Sequence, residues 1–282
     1  MLHLHLTNPD IIVLAILLGG ILFSIRWKKL TVPAAFTGAI LGWMVYAGGG
    51  LTGLAMMTAF FILGTAATSW KKSAKRLIKG NAAHESTRTS GQVIANAGVA
   101  SLSGLLAVLF PAYAPVWQVM MAGSLAGAAA DTLASELGMI YGRRTYHILT
   151  GRPDEKGLDG VVSLEGLAIG AAAAASIALV YTIGYGWHTG TFLLLILAGT
   201  LGNLTDSLLG AAFERKGRLS NNAVNFLSTL AAALAAGALT IALHSYPPHS
   251  GFLGKNRLGL HVKISTGPFT SKGFVFYFTP LR

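Results

Sequence analysis

Cysteine is missing altogether from the 282 residues, which excludes a disulfide framework and a thiolate metal site. Charge is also scarce: 11% of residues are Asp, Glu, Lys or Arg, where a soluble globular domain carries about 25%. Acids are the rarer sign, 10 against 21 Lys and Arg. Several chemical signatures are lacking too. There is no G-x-x-x-x-G-K-[ST] phosphate loop, no dinucleotide fingerprint, no H-E-x-x-H pair and no G-x-S-x-G elbow. The eight histidines are scattered without ligand spacing. Zinc proteolysis and an α/β-hydrolase nucleophile are therefore set aside.

What the chain has in abundance is apolar sequence. It is 53% hydrophobic, with runs longer than the roughly 18 residues that mark a membrane span. Spans are expected at about 10–25, 32–47, 51–69, 92–110, 114–131, 162–184, 191–213 and 222–245. The expected fold is an all-α, polytopic membrane helix bundle of about eight transmembrane helices. Gly, Ala and Ser crowd these spans, as in "VMMAGSLAGAAAD" and "LAIGAAAAAS", and small residues let helices approach closely in lipid.

The net charge of +11 invites a nucleic-acid reading, but in a membrane chain basic residues first report orientation. Arg26, Lys28 and Lys29 follow the first span, and Lys71, Lys72, Lys75, Arg76, Lys79 and Arg88 the third. Arg143, Arg144, Arg152 and Lys156 follow the fifth; Arg215, Lys216 and Arg218 follow the seventh. The intervening connections "AGGG", "PAYAP" and "GYGWHTG" hold no Lys or Arg. By the positive-inside rule the basic connections are cytoplasmic and both termini lie outside. No nucleic-acid partner is expected. The first apolar run carries its positive residues after it, so it is expected to stay as a helix and not to be a cleaved signal. Residues 1–249 are expected to form the transmembrane catalytic domain. Residues 250–282, basic and free of acids, are expected to be a disordered or appended tail.

Nearly all the acids share the basic side, including Glu85, Asp131, Glu136, Asp159, Asp206 and Glu214. In "AGAAADTLASELG", Asp131 shares a helix face with Ser135, as does Thr132 with Glu136. In "GNLTDSLLGAAFERKGRLSNNAVN", Asn203, Asp206 and Gly210 can occupy one face, with Ser207 and Glu214 on its neighbour. A carboxylate at membrane depth costs about 2.5–3.5 kcal/mol, so Asp206 should face the bundle interior. Ordinary interfacial polarity, or one interhelical hydrogen bond, would account for either segment alone. "DTLAS" and "DSLLG" read alike, and both fall late in helices running the same way.

Three further segments carry polar groups. The loop "GRRTYHILTGRPDEKGLDGVVSLEG" combines Arg143, Arg144, Arg152, Lys156 and Asp159 with glycines 157 and 160, and guanidinium forks and exposed N–H groups suit phosphate. Arg88, Gln92 and Asn96 follow at four-residue spacing on one helix face. "SNNAVN" offers Asn222 and Asn225 on a first helical turn, with Ser220 or Asn221 as cap.

Taken together, "TSGQVIANAG", "ADTLASELG", "LDGVVSLEG" and especially "GNLTDSLLGAAFERKGRLSNNAVN" resemble an integral membrane family. It includes plant phytyl-phosphate kinase of vitamin E biosynthesis, animal transmembrane protein 19, and bacterial and archaeal members. The likeness covers about residues 10–245. "KGLDGVVS" departs from the glycine- and threonine-rich form expected there, although Asp159 and Ser163 remain. The resemblance implies phosphoryl transfer from CTP to a prenyl monophosphate, phytyl or geranylgeranyl, in isoprenoid lipid metabolism. Mg²⁺ takes oxygen ligands and one or two carboxylates. That makes Asp131 and Asp206 the expected metal and catalytic pair, with Glu214 a further ligand and Glu136 and Arg88 catalytic. Asn96, Ser135, Arg143, Arg144, Asp159, Ser163, Asn203, Ser207, Arg215, Lys216, Asn222 and Asn225 would hold lipid phosphate and nucleotide. The partners implied are the lipid phosphate, the nucleotide and the bilayer, and a homodimer is allowed. A prokaryotic plasma membrane is the expected location.

Two other classes use similar residues. A transporter for a cation or small metabolite also carries intramembrane carboxylates, though it would line a path through both faces. A CTP-using lipid nucleotidyltransferase would release pyrophosphate and not CDP. The D-G-x-x-A-R signature of CDP-alcohol phosphotransferases is not present.

Overall fold

A computed structural model gives the fold, and it describes residues 8–78 and 87–244. Expectations for Lys79, for Glu85 and for the tail 250–282 lie outside the described residues, as do the N-terminal residues before Asn8. The chain runs through α1 (Asn8–Arg26), α2 (Val32–Ser69), the single turn α3 (Lys72–Lys75), α4 (Ser90–Leu109) and α5 (Ala114–Tyr141). After a loop come α6 (Leu164–Tyr185), α7 (Thr189–Leu209) and α8 (Asn221–His244). The loop contains a ribbon in which Tyr146–His147 pairs antiparallel with Val161–Val162. The protein is an all-α membrane helix bundle apart from this ribbon.

Among the described residues six helices are long and apolar enough to cross a membrane: Pro9–Arg26, Val32–Ser69, Ser90–Leu109, Leu164–Tyr185, Thr189–Glu214 and Asn221–Leu243. α5 is not among them, and its place in the bundle explains why. It packs against α2, α4, α6, α7 and α8, and every residue from Met121 to Ala130 is buried. A helix shielded by protein needs small side chains more than lipid-facing bulk. Gly123 and Gly127 lie against Ala232 of α8, and Gly199 of α7 lies against Ala126 and Ala174. A methyl at Gly127 would stand 2.7 Å from the Ala232 Cβ, closer than carbon atoms pack. The small residues thus set the interhelical distances.

The 38-residue α2 is two arms and not one rod. Gly50 has φ 59 and ψ −156, a region essentially reserved for glycine, and the chain folds back there. Gly42 comes to lie beside Leu54 and Met57, and Gly53 beside Val45. Phe61 packs on the cluster of Leu30, Ala34 and Ala35. The Lys29 ammonium, just before the first arm, donates to the hydroxyl of Ser69 at the end of the second (2.9 Å). Carbonyls freed by the break are satisfied from other helices. Gln118 Nε2 donates to Gly48 O at 2.9 Å, and the Tyr185 hydroxyl to Gly49 O at 2.5 Å. A broken helix in lipid requires such replacement partners.

The Gly50 reversal marks one end of the bundle, together with Gly104, Gln118 and Tyr185. At the other end meet the close of α2, the start of α4, the close of α5, the start of α6, the close of α7 and the start of α8. The basic connections lie at that second end as well. So does the site.

Candidate active site

A cavity of about 500 Å³ opens at this second end. α5 contributes Asp131, Thr132, Ser135 and Glu136, and α7 contributes Asn203, Asp206 and Ser207. The two carboxylates come from helices that enter the site in the same direction, so each arrives near its helix end. The Asp131 and Asp206 carboxyl groups lie within hydrogen-bonding reach of each other. Ser135 reaches Asp131 from one turn further along α5, and Ser228 of α8 reaches Asp206. Even so, Asp131 Oδ1 and Asp206 Oδ2 are buried without a hydrogen-bond partner, and so is Asn203 Nδ2. Buried polar atoms are nearly always paired. Three orphans in one chamber mark a place built for a polar occupant.

The end of α7 is shaped for this. A π turn over Gly210–Glu214 widens the helix, as such turns often do at functional sites. It brings Glu214 to the cavity wall with Asp206. Glu214 is held by the Asn221 side chain and flanks the carboxylate pair. Among the described residues no three or more His, Asp or Glu form a metal-holding group. Asp131, Asp206 and Glu214 are therefore not an all-protein cage. A hard cation such as Mg²⁺ does not need one, because it takes one or two carboxylates plus water and phosphate oxygens. The paired, half-orphaned carboxylates fit that donor set.

Opposite the acids stand two cations. Residues 87–89 are tied to the α1–α2 connection: Arg88 N donates to Lys29 O and Thr31 N to Arg88 O, each at 3.0 Å. From this anchor the Arg88 guanidinium reaches over Phe60, 5.9 Å from its ring centre, and against Gly64. It makes no ion pair among the described residues. Burial lowers its pKa from the ordinary value, with the Glu136 charge opposing. An arginine remains cationic regardless. Gln92 and Asn96 line the same wall, as their four-residue spacing predicts. Gln92 closes the helix cap by accepting from Thr89 N, and Asn96 Nδ2 donates to Gln92 O. The second cation is Lys156, brought by the α5–α6 loop.

That loop is pinned over the cavity. Gly160, at φ 74, lies against Ala211 of the π turn. A side chain there would be strained and would collide. Arg215 donates to Asp154 at 2.6 Å. The Arg215 hydrogen bond, followed by that from the Glu155 amide, holds the Asp154 carboxyl below its ordinary value. Asp159 lines the cavity, and Ser163 both lines it and caps α6 by accepting from Gly166 N at 3.0 Å.

Of the residues picked out from sequence, the cavity gathers Arg88, Asn96, Asp131, Ser135, Glu136, Asp159, Ser163, Asn203, Asp206, Ser207, Glu214 and Asn225. It leaves out Arg143, Arg144, Arg215, Lys216 and Asn222. Arg143 and Arg144 are exposed beyond the end of α5, as is Lys216 after the π turn, and Arg215 is held by Asp154. Asn222 turns toward Gly91 of α4; Ser220 caps α8, and that phase sends Asn221 and Asn225 inward instead. Glu136 faces the cavity but is bound by the buried Lys75 ammonium at 2.6 Å, which also donates to Ala67 O. Lys156 and Asn221 also line the cavity; the sequence marked the first only as part of the basic loop and the second only as a cap, and neither as a site residue. For Lys156, the turn glycines 157 and 160 beside it were the available signal.

Comparison with known proteins gives a family but no structural precedent. An uncharacterized membrane protein of Methanocaldococcus jannaschii is 33% identical over 199 residues, covering 68% of this chain and 78% of its own. One from Synechocystis is 33% identical over 228 residues, covering 77% and 85%. The chloroplastic protein VTE6 of Arabidopsis thaliana is 27% identical over 230 residues, covering 76% of this chain and 66% of its own length. No solved structure matches. The profile of integral membrane protein DUF92 matches residues 14–233, a stretch that includes every cavity-lining residue, and the chain belongs to that family.

Proposed function

We propose that the protein is a prenyl-phosphate kinase, transferring the terminal phosphoryl group of CTP to a prenyl monophosphate such as phytyl or geranylgeranyl phosphate. An oxygen of the acceptor phosphate forms a bond to the γ-phosphorus, the bond from that phosphorus to the β-bridging oxygen breaks, and CDP leaves. The observation that carries the reading is the Asp131–Asp206 pair, with one buried, unpartnered oxygen on each carboxylate. It sits in a polar chamber at the end of an apolar bundle. The resemblance of the chain's motifs to a family that includes plant phytyl-phosphate kinase supplies the substrate class.

Each wall has a task in this reaction. Asp131 and Asp206 would hold Mg²⁺, which would supply the positive charge that offsets the charge on the phosphates. Arg88 and Lys156 offset the remaining phosphate charge, so that two anionic reactants can approach. Gln92, Asn96, Asn221 and Asn225 present donors and acceptors for ribose and base. Lys75 holds Glu136 and ties α3 to the close of α2 and α5. The prenyl chain lies along the apolar helices with its phosphate at the interface. The two arms of α2 and the shielded α5 make eight crossings with the other five long helices. The positive-inside rule, applied to the basic connections, supports a chamber on the cytoplasmic side of a prokaryotic plasma membrane.

The test uses purified protein with γ-labelled CTP, Mg²⁺ and phytyl phosphate. Labelled phytyl diphosphate and CDP should appear, and formation should fall at least about 100-fold in Asp131→Asn and Asp206→Asn, the scale lost with a key electrostatic group. Unchanged product in both variants removes the assignment. Release of pyrophosphate in place of CDP converts the reading to nucleotidyl transfer.

A further inference from the structure

A second, smaller cavity of about 280 Å³ adjoins the first. Its lining is Trp27, Lys28 and Lys29 from the end of α1, Thr65, Thr68 and Ser69 from the end of α2, Lys72 of α3, and Arg88. Thr68 and Arg88 also line the main cavity, so the two chambers share a wall and Arg88 stands in it. Among the described residues no acid lines the smaller one. Four cations and three hydroxyls in one concavity make an anion site. Ordinary orientation-setting lysines project singly into solvent, whereas these converge.

The backbone points the same way. The only non-glycine residues with positive φ among the described residues are Lys28 (φ 52) and Lys71 (φ 46). Lys28 lines the pocket, and Lys71 precedes another lining residue, Lys72. Such left-handed conformations are uncommon outside glycine, asparagine and aspartate, and they concentrate at ligand sites. Here they bend the ends of α1 and α2 around the pocket. One pocket wall, Trp27, is 58% exposed and stacks on Phe23 at 4.5 Å between ring centres. Trp70, at the close of α2, is 51% exposed. Exposed tryptophans at helix ends sit at the headgroup level of a bilayer. Trp27 thus sets the pocket at the level expected for lipid headgroups, beside α1, whose Leu18 and Leu22 are 57% and 61% exposed.

We propose that this pocket is the docking subsite for the phosphate of a lipid monophosphate, the acceptor, which enters from the bilayer and meets the donor phosphates across Arg88. A phosphate monoester carries close to two negative charges at neutral pH, and four cations answer that charge. The volume lies just under the about 300–1,000 Å³ of small-molecule pockets, which suits a headgroup with its chain left in the membrane. The inference rests on the proposed kinase reading for the word acceptor, but not for the binding itself.

The experiment compares the parent with Lys28→Gln/Lys29→Gln/Lys72→Gln in lipid nanodiscs of phosphatidylcholine. Titrations with phytyl phosphate, phytol, inorganic phosphate and Mg²⁺–CTP are followed by thermal shift and by native mass spectrometry. The triple variant should lose at least about tenfold in affinity for phytyl phosphate, while its stabilisation by Mg²⁺–CTP, which also reports folding, stays as in the parent. Phytol should not bind in either protein, and inorganic phosphate should compete poorly. Equal phytyl phosphate affinity in both proteins overturns the proposal, and so does competition by inorganic phosphate as strong as by the lipid. The two readings separate cleanly. Lost lipid-phosphate binding in a protein that makes no diphosphate leaves the subsite standing without the kinase. Normal diphosphate formation with normal lipid affinity in the triple variant leaves the kinase without this subsite.

Discussion

Asp131→Asn should make the protein more stable and less active at once. In the parent, without cation, two carboxyl groups from α5 and α7 face each other within hydrogen-bonding reach, and each has a buried oxygen with no donor. Two like charges about 4 Å apart repel by about 4 kcal/mol at an effective dielectric near 20. Shared protons and stray water relieve part of this, and an unpaired buried acceptor costs about 1–3 kcal/mol on its own. The asparagine amide replaces repulsion by an N–H donated to Asp206. A net gain of about 1–2 kcal/mol follows, which is about 3–6 °C in the melting midpoint for a chain of this size. The assay is thermal unfolding in detergent with EDTA and again with Mg²⁺ and CTP. With EDTA the variant should melt higher than the parent. With Mg²⁺ and CTP the order should reverse, because only the parent gains from binding, by about 2.7 kcal/mol at 100 times the dissociation constant. A variant that melts lower than the parent in EDTA refutes the reasoning: the pair would then be a structural contact and not a strained binding site.

Other outcomes follow from single contacts. Gly50→Ala puts a Cβ on a residue at φ 59 and should cost about 1–3 kcal/mol, read as a lower melting midpoint in detergent. Gly127→Val drives a branched side chain into Ala232 and should cost about 1–3 kcal/mol or more by overpacking, with the yield of folded protein as readout. The Asp154–Arg215 pair makes the loop over the cavity sensitive to acid. Because the Asp154 carboxyl is held below its ordinary value, the contribution is complete above the unfolded value of about 3.9. It is lost as pH falls through the lower folded value. Limited proteolysis of the loop should therefore accelerate below about pH 4 in the parent, and Asp154→Asn should show the faster cleavage already at neutral pH.

Much of the site was legible because helix periodicity survives in any environment. Arg88, Gln92 and Asn96 share a face at four-residue spacing, and Asp131 and Asp206 each fall late in helices that run the same way. Depth along a helix was enough to bring the two carboxylates together. Three features did not follow from local pattern. The π turn at Gly210–Glu214 is not signalled by residue spacing, although Ser207 and Glu214, seven apart, already share a face and both line the cavity. The cap at Ser220 sets the phase of α8 and so exchanges Asn222 for Asn221. Competition among cations is the third: Arg215 belongs to Asp154 and Lys75 to Glu136, choices made by tertiary distance that no linear spacing records. α5 reads as only weakly apolar because neighbouring helices take the place of lipid around it. Gly48–Gly50 looked like a short connection, and the Gly50 backbone makes it a reversal as tight as one residue allows.

The central claim is that Asp131 and Asp206 bind one divalent ion together with nucleotide phosphates. Electron paramagnetic resonance with Mn²⁺ in place of Mg²⁺, in the presence of CTP, reads that arrangement without depending on turnover. The parent should bind one Mn²⁺ per chain tightly, with hyperfine coupling to phosphorus, and Asp131→Asn and Asp206→Asn should each weaken that site at least about tenfold, the low end of what lost metal-site partners cost. Mn²⁺ and CTP binding that is the same in the parent and in both variants would contradict the account.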